Sequence, residues 1–311
     1  MQGYLGFHPA HWTGMRRMGE GDMTDRNERT VGTVATLSRY PAKSMLGEAR
    51  DALTVAARGI VGDRAWAVLD DATGKVASAK RPKLWRDLLG CTARTLDEAD
   101  GGAVEITLPN GAARRAGDPR LDALLSALTG RAVRLASRPP IAAEIDRSFP
   151  EEVLTDGIGA DVEFSLLILG AGAPPGTFLD YAPLHLITST TLDSIGAALP
   201  EGSVEAARYR PNVVISSPGG EGGFPENEWV GGTVRIGDEV ALRIILQTPR
   251  CAIPMLAHGA LPPRPGALRV TAEHNRVEIP GFGNQPCAGI YAEVLQGGTI
   301  REGDRVTLAA A

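Results

Sequence analysis

Glycine and proline interrupt this chain so often that long regular elements have little room to form. They supply 38 and 22 of its 311 residues, roughly a fifth, against about 12% in an average protein. Hydrophobic residues make up 43% of the chain and charged residues 22%, which is enough to bury a core, so the breaks divide a globular protein. The sequence therefore predicts short strands, and its length favours two domains.

Apolar and polar residues alternate in short segments along most of the chain, as is typical of half-buried strands. One such segment, 104–108, runs into Asn110-Gly111, the dipeptide that most strongly signals a hairpin because both residues tolerate positive φ. Turn residues at 70–74 predict a second hairpin between 64–69 and 76–79. Further strands are predicted at 31–37, 53–56, 131–136, 162–169, 213–216, 233–236, 240–246, 268–271, 290–295 and 306–308.

Helices are the minority. The clearest is predicted at 119–129, with Asp118 as N-cap, Pro119 at the first helical position and Gly130 as the stop. A second is predicted at 190–199, and Pro200 ends it. The fold class is therefore mainly β with a few helices (α+β). Residues 137–140 indicate a boundary between a domain at 31–140 and a domain at 141–311, after a flexible extension at 1–30 in which Met23 is a candidate initiator.

Charge and cysteine content exclude several classes of protein. A net charge of −5 argues against nucleic acid as the main partner, because neutralising phosphates requires a basic face. No apolar run approaches the ~20 residues that a membrane span needs. Three cysteines cannot build a disulfide framework, and an odd count leaves a free thiol. We therefore expect a soluble, cytoplasmic protein with no nucleic-acid or membrane partner.

Two ten-residue segments, 231–240 and 297–306, repeat one another. They are offset by 66 residues and are identical at seven positions. Each contains a Gly-Gly entry, a short strand and a Gly-Asp turn, which is how a small barrel reverses direction. Two independent turns that use common residues would give the same pattern, and both interpretations predict β structure.

The most informative segment for chemistry is Pro249-Arg250-Cys251-Ala252-Ile253-Pro254, directly after a predicted strand. A guanidinium beside a thiol stabilises the thiolate, the form that attacks electrophiles and binds soft metals. The alternative is that Cys251 is a small buried hydrophobe. Cys91 is expected in the core, and Cys287 is expected to be structural more than a metal ligand. The histidines show no zinc-binding spacing.

Several motifs, taken in order, resemble a known family. In the first half these are Tyr40-Pro41-Ala42-Lys43-Ser44 and the stretch from Gly59 to Trp66, Gly-Ile-Val-Gly-Asp-Arg-Ala-Trp. In the second half they are Arg208-Tyr209-Arg210-Pro211-Asn212, the Cys251 segment and residues 289–304. Together they are similar to the N-terminal β-barrel domain and the MOSC domain of molybdenum cofactor sulfurases and amidoxime-reducing molybdenum proteins. The resemblance implies an N-terminal β-barrel-like domain followed by a MOSC β-barrel domain.

The resemblance also implies a site for the molybdenum cofactor, a pterin dithiolene that carries a phosphate. It makes Cys251 the catalytic residue and the protein ligand to the metal, since a sulfur-bound metal is soft and accepts another thiolate. Arginine recognises phosphate in a bidentate manner and lysine as a point charge, so a basic pocket suits this anion. The residues assigned to cofactor binding are Lys43, Ser44, Arg64, Thr188, Ser189, Arg208, Arg210, Asn212 and Arg250.

Each of these residues also has an ordinary structural role open to it. A surface salt bridge accounts equally well for Lys43. The hydroxyls of Thr188 and Ser189, just before the predicted helix, could cap it as well as receive an anion. His185 aligns with a polar position in some relatives, yet a lone histidine on an apolar strand is usually a core residue.

The function expected from the resemblance is that of a molybdenum-dependent oxidoreductase acting on small N-hydroxylated molecules. Some relatives carry a fused iron–sulfur domain with four cluster cysteines, and only Cys287 lies beyond Cys251 in this chain. A separate electron donor, a flavin or iron–sulfur reductase, would then be its partner. The alternative is a non-redox carrier of the molybdenum cofactor or of its terminal sulfur. A barrel that has kept the fold without the cofactor is a third reading.

Overall fold

The computed structural model describes residues 28–97, 102–169, 173–174, 176–217 and 222–310. Most of the extension predicted at 1–30, including Met23, lies outside the described residues. The described part contains nineteen strands and five helices, so the chain has the predicted, mainly β class. Within these ranges we find no helix with the length and apolarity that crossing a membrane requires.

Most of the strands are short, as the density of glycine and proline predicts. They are β1 (Arg29–Arg39), β2 (Glu48–Arg50), β3 (Ala52–Ala56), β4 (Gly59–Ile60), β5 (Ala67–Asp70), β6 (Thr92–Thr95), β7 (Val104–Thr107), β8 (Ala113–Arg115), β9 (Val133–Ala136), β10 (Glu144–Ser148), β11 (Phe164–Ile168), β12 (Leu184–Thr188), β13 (Val213–Ser216), β14 (Thr233–Ile236), β15 (Val240–Pro249), β16 (Arg276–Ile279), β17 (Gly283–Gln296), β18 (Gly298–Arg301) and β19 (Arg305–Ala309).

Local sequence signals set the ends of the best-predicted helix. The helices are α1 (Pro82–Trp85), α2 (Pro119–Thr129), α3 (Pro150–Asp156), α4 (Ser189–Ala197) and α5 (Gly266–His274). Helix α2 has the predicted bounds: the Asp118 side chain accepts a hydrogen bond from the backbone N–H of Arg120, and Gly130 ends the helix with a φ of 67°. Helix α4 begins one residue earlier than predicted and is capped by Thr188.

Seven strands close into a barrel in the order β12, β13, β1, β19, β14, β15 and β17, and β17 pairs with β12 to complete it. Neighbouring strands are antiparallel except β12 and β13. Strand β1 comes from the start of the described chain and lies between β13 and β19. The barrel therefore draws on both halves of the sequence. Its interior is an apolar core that includes Val34, Leu186, Ile215, Leu242 and Ile290.

A second core lies in the first half of the chain. It is built from α2 together with strands β5, β6, β7 and β9, and it includes Trp85, Leu88, Ile106 and Leu125. The β7–β8 hairpin turns at Asn110-Gly111, and Gly111 has the positive φ, 84°, that the dipeptide predicts. The domain boundary near residue 140 stays a prediction.

Two predicted strands are wrong. Residues 268–271 belong to helix α5, in which Ala267, Leu268, Val270 and Thr271 are buried on one face. The predicted window was too short to show this period, and β-branched residues favoured a strand. Residues 76–79 form no regular strand: one isolated bridge joins Val76 to Leu69, and the backbone N–H of Ala77 donates to the carbonyl of Val68 at 2.8 Å, while β5 pairs in register with β9.

The two repeated segments contact each other. In the first, β14 and β15 form a hairpin; in the second, β18 pairs with β3 while β19 pairs with β14. The backbone N–H of Gly237 donates to the carbonyl of Arg305, and that of Thr299 donates to the Glu239 carboxylate at 2.8 Å. The turn of the first segment is thus bonded to both strands of the second.

Candidate functional site

The loop that carries Cys251 is fixed by hydrogen bonds on both sides. It follows β15 and leads into a short 3-10 turn at Ile253–Met255. The backbone N–H of Arg250 donates to the carbonyl of Pro286 at 2.7 Å, and its guanidinium donates to the carbonyl of Tyr209 at 2.9 Å. Arg147 donates to the Arg250 carbonyl at 3.3 Å. Cys251, 7% exposed, is therefore held in a defined position at the edge of a cleft.

This cleft, which we call the Cys251 cleft, is strongly cationic. It encloses about 80 Å³. Its lining residues are Lys43, Ser44, Arg64, Ser78, Lys80, Asp180, His185, Tyr209, Arg210, Pro249, Arg250, Cys251, Ile253 and Tyr291. In this part of the described chain, five lysine and arginine side chains face a single carboxylate, that of Asp180. An excess of positive charge in a partly closed site favours an anionic ligand.

The barrel supplies one wall of the cleft. His185 on β12 lies opposite Tyr291 on β17, with ring centroids 5.8 Å apart. Their strand neighbours Leu184, Leu186 and Ile290 are buried in the barrel core. Because successive side chains of a strand point to opposite faces, His185 and Tyr291 face away from the core and into the cleft.

The first half of the chain supplies much of the basic side. The Nζ of Lys43 donates to the carbonyl of Phe178 at 2.9 Å and pairs with the carboxylate of Asp180. The hydroxyl of Ser44 accepts a hydrogen bond from the backbone N–H of Ala79 at 3.0 Å. These contacts attach the segment after β1 to two other segments of the cleft, one at Phe178 and Asp180 and one at Ala79.

Two arginines of the cleft stack on the ring of Tyr40. The guanidinium carbons of Arg64 and Arg210 lie 4.5 and 4.3 Å from the ring centroid. Arg64 also pairs with Asp63 and donates to the carbonyl of Arg210 at 3.2 Å, while Arg210 donates to the carbonyl of Met45 at 2.6 Å. Cation–π contacts and carbonyl acceptors thus stabilise two like charges at close range.

Backbone strain is concentrated here. Across the described ranges, four residues other than glycine have positive φ: Ser44 (61°), Arg64 (46°), Arg210 (55°) and Ala142 (51°). The first three line the cleft. Such conformations cost about 1–3 kcal/mol each and persist where the surroundings enforce them, often at functional sites.

Burial and mutual repulsion shift the titration of these groups. Burial lowers the pKa of Lys43 to about 8, although Asp180 opposes the change. Burial also lowers the pKa of Arg210 to about 10, and the like charge of Arg64 adds to this. For Asp180, burial raises the pKa, but Lys43 and Lys80 outweigh it and hold the pKa below its ordinary range. Burial and nearby Arg250 keep the pKa of His185 well below its usual value, so its ring is neutral at pH 7.

The structure brings six of the sequence-predicted site residues together: Lys43, Ser44, Arg64, Arg210, Arg250 and Cys251. It places four elsewhere. The guanidinium of Arg208 is buried against Glu205 and the carbonyls of Leu256 and Pro262.

The other three residues outside the cleft have structural partners. Thr188 caps α4 and donates to the buried carboxylate of Glu226 at 2.7 Å. Ser189 contacts Ser217, and its hydroxyl accepts the backbone N–H of that residue at 3.2 Å. Asn212 joins β12 to β1 through the backbone of His185 and Ser38. The capping role named as the alternative for Thr188 is present in the structure, whereas Ser189 and Asn212 make other contacts.

Eight cleft residues were not among the predicted site residues: Ser78, Lys80, Asp180, His185, Tyr209, Pro249, Ile253 and Tyr291. Tyr209 and Tyr291 lie inside quoted motifs, and strand alternation around Ile290 could have directed attention to Tyr291. Ser78 lies in the strand predicted at 76–79, and Lys80 and Asp180 lie outside every quoted motif, so no sequence signal marked these three as site residues.

The other two cysteines are buried, and neither lines the cleft. Burial raises the pKa of Cys91 and of Cys287 to about 12. The thiol of Cys287 donates to the carbonyl of Gln285, in keeping with the predicted structural role. Over the residues that the structure describes, no three histidine, cysteine, aspartate or glutamate side chains are grouped so as to hold a metal ion.

Comparison with known proteins identifies both halves of the chain. The family model of the MOSC domain matches residues 174–307, and that of the MOSC N-terminal beta barrel domain matches residues 31–116. MOSC domains are associated with binding of the molybdenum cofactor. A search of the curated proteins gives no match.

A search of the solved structures returns two bacterial proteins among its matches. The YuaD protein from Bacillus subtilis is 10% identical, and the match covers 91% of this chain and 98% of that one with a TM-score of 0.39. YiiM from Geobacillus stearothermophilus is 16% identical over 41% of this chain and 54% of its own, with a TM-score of 0.28.

Proposed function

We propose, from the premise that this chain belongs to the family of two-domain MOSC proteins, that the Cys251 cleft binds the molybdenum cofactor and reduces N-hydroxylated compounds. The observation that carries the proposal is a thiol held at the edge of a cleft with five cationic side chains. The cationic side chains favour an anionic ligand, and the thiol favours a thiophilic metal, so an anionic ligand that carries such a metal fits the cleft.

The donors of the cleft fit this cofactor. Arg250 has a buried Nε–H that lacks a hydrogen-bond partner among the described residues, so it can serve a ligand oxygen without breaking an existing bond. Cys251 lies beside it. The enclosed volume, about 80 Å³, is below the ~300–1,000 Å³ typical of cofactor sites. A ligand of pterin size therefore extends through the mouth of the cleft or displaces side chains on entry.

Each group then has a defined task. Lys43, Arg64 and Arg210 hold the anionic part of the cofactor, and Ser44 and Arg250 contribute hydrogen bonds. Cys251 is the ligand to the metal, in its thiolate form. The bound cofactor supplies a sulfur-ligated metal that exchanges electrons and oxygen with the substrate.

The proposed reaction converts an N–OH group into N–H and water, which consumes two electrons and two protons. The ammonium group of Lys43, with a pKa of about 8, carries a proton beside the cleft at neutral pH. The neutral ring of His185 and the phenol of Tyr291 provide an uncharged wall for the substrate. Electrons come from a separate donor, and we propose a flavin or iron–sulfur reductase as the partner.

Metal and pterin analysis of the full chain, purified from a host that makes the cofactor, tests the binding proposal. We expect about one molybdenum and one pterin per chain in the wild type and a large loss of molybdenum in Cys251→Ala. Cys287→Ala is the matched control, because its thiol is buried outside the cleft. Wild-type protein without molybdenum or pterin would contradict the proposal.

A second assay tests the reaction. Chemically reduced, cofactor-loaded protein is mixed with an amidoxime or a hydroxylaminopurine, and the amine product is measured. Turnover supports the reductase. Loaded protein that turns over neither substrate, but transfers its cofactor to an apo-enzyme, would instead show that it is a carrier.

A further inference from the structure

One carboxylate spans the basic side of the cleft. Asp180 pairs through Oδ1 with the Nζ of Lys43 and through Oδ2 with the Nζ of Lys80, at 3.2 Å in the second case. The two lysines come from different segments, one after β1 and the other just before α1. Each oxygen of the carboxylate therefore has its own ammonium group, and the carboxylate joins the two segments across the cleft.

The ammonium groups of Lys43 and Lys80, which bind the two oxygens of the Asp180 carboxylate, could bind two oxygens of another oxyanion with the same geometry. Phosphate offers oxygens at a similar spacing and carries more negative charge than a carboxylate, so it competes for the same donors. Lys43 and Lys80 are 5% and 12% exposed, which limits the screening of their charge by water. The pair is consequently a preformed site for an anion, and a side chain of the protein now fills it.

The side chain of Asp180 has freedom that its neighbours lack. Phe178 and Leu179 are buried and anchor the backbone of the segment, whereas Asp180 is 31% exposed. With the backbone held there, displacement of the carboxylate toward water would take place by rotation about χ1. Turning it outward would also widen a cleft that is small for its proposed ligand.

We infer that Asp180 is a built-in competitor anion: it occupies the Lys43–Lys80 site when no ligand is bound, and the phosphate group of an incoming ligand displaces it. The inference rests on the proposed function only in placing a phosphate-bearing ligand in this cleft. Asp180 thus tunes the affinity of the site, keeping the lysines paired in the free protein and releasing them to a ligand with greater charge.

The test measures binding of inorganic phosphate to the full chain purified without cofactor, by calorimetry at constant ionic strength. Asp180→Asn keeps the shape of the side chain and removes its charge, so we expect phosphate to bind at least tenfold more tightly than to the wild type. Asp146→Asn is the matched control, because Asp146 also bridges two cations, Lys75 and Arg81, away from the cleft. It should leave phosphate binding unchanged.

Adding Lys80→Gln to Asp180→Asn should abolish the gain, which places the phosphate at the lysine pair. If Asp180→Asn does not fold, Asp180→Ser removes the same charge. Affinity equal to or below that of the wild type in the charge-removing variant, or an equal gain in Asp146→Asn, would overturn the inference. Cofactor content separates this result from the proposed function. If Asp180→Asn gains phosphate affinity but the chain never carries cofactor, the competitor role of Asp180 is supported alone. If the chain carries cofactor but Asp180→Asn gains no phosphate affinity, the binding proposal is supported alone.

Discussion

Substitution of Arg208 by glutamine should destabilise the fold without affecting the cleft, although Arg208 belongs to the same motif as Arg210. The guanidinium of Arg208 is fully buried. It donates to Glu205 at 2.6 Å, to the carbonyl of Leu256 at 3.1 Å and to the carbonyl of Pro262 at 2.9 Å. It does not line the cleft, whereas Arg210, two residues later, does.

The size of the effect follows from the groups left behind. Leu256 is buried, so its carbonyl would lose its partner at a cost of about 1–3 kcal/mol. Pro262 is exposed, so water can replace the lost bond there. Glu205 keeps its contact with Arg264 at 3.2 Å. With the shorter side chain packing less well, we expect a total loss of about 3 kcal/mol, or roughly 6–12 °C in Tm for a domain of this size.

The assay compares Arg208→Gln with Arg210→Gln by thermal unfolding and by cofactor content at 20 °C. Arg208→Gln should lower Tm by that amount and keep the cofactor. Arg210→Gln should lose cofactor to a much greater extent, with a smaller fall in Tm, because one hydrogen bond to Met45 and the stacking on Tyr40 are removed. If Arg208→Gln leaves Tm within 2 °C of the wild type, or loses the cofactor while folded, the structural role assigned to Arg208 is wrong.

Three further predictions concern the cleft and its surroundings. Gly289→Ala should lower the free energy of unfolding, measured in urea, by more than ~2 kcal/mol, because a Cβ there would lie 2.4 Å from Nε2 of His185 at a φ of 77°. Gly283→Ala is the control: its φ is 69° but the space around it is open, so the loss should be ~1 kcal/mol. Calorimetry should show phosphate affinity falling as pH rises through about 8, where Lys43 loses its charge, and Lys43→Arg should remove this step. Burial lowers the pKa of His258 to about 4, so between pH 6.5 and 4 the unfolded chain binds a proton that the folded chain does not. The free energy of unfolding, measured by urea titration, should therefore fall as the pH is lowered from 6.5 to 4. His258→Gln should make this decrease smaller.

The parts of the fold that could be predicted from sequence are those that local chemistry determines. The ends of α2 follow from Asp118 and Gly130, and the β7–β8 turn follows from Asn110-Gly111, because each signal acts within a few residues. Helix α5 was missed because tertiary packing of its buried face, with Gly266 against the side chain of Leu199, outweighs the strand preference of its β-branched residues.

The site was predictable only where a motif carries it. The sequence places Arg208 and Arg210 in one motif, but in the structure Arg208 bonds to the carbonyls of Leu256 and Pro262, whereas Arg210 bonds to the carbonyl of Met45 and lines the cleft. Asp180 has no local signal at all, since its role comes from two lysines that lie 137 and 100 residues earlier in the chain. Sequence motifs identify residues near a site, whereas the balance of charges within the site can be seen only in the folded structure.

The pairing of β1 explains why the motifs of both halves converge on one cleft. β1 lies between β13 and β19 in the barrel, so the chain leaves the barrel wall directly into the segment that carries Lys43 and Ser44. Near residues 37 and 213, antiparallel pairing places the end of β1 beside the start of β13, and the residues just before β13 include Arg210. The two basic segments are therefore neighbours because β1 and β13 pair, so the pairing that builds this part of the barrel also brings the two segments together.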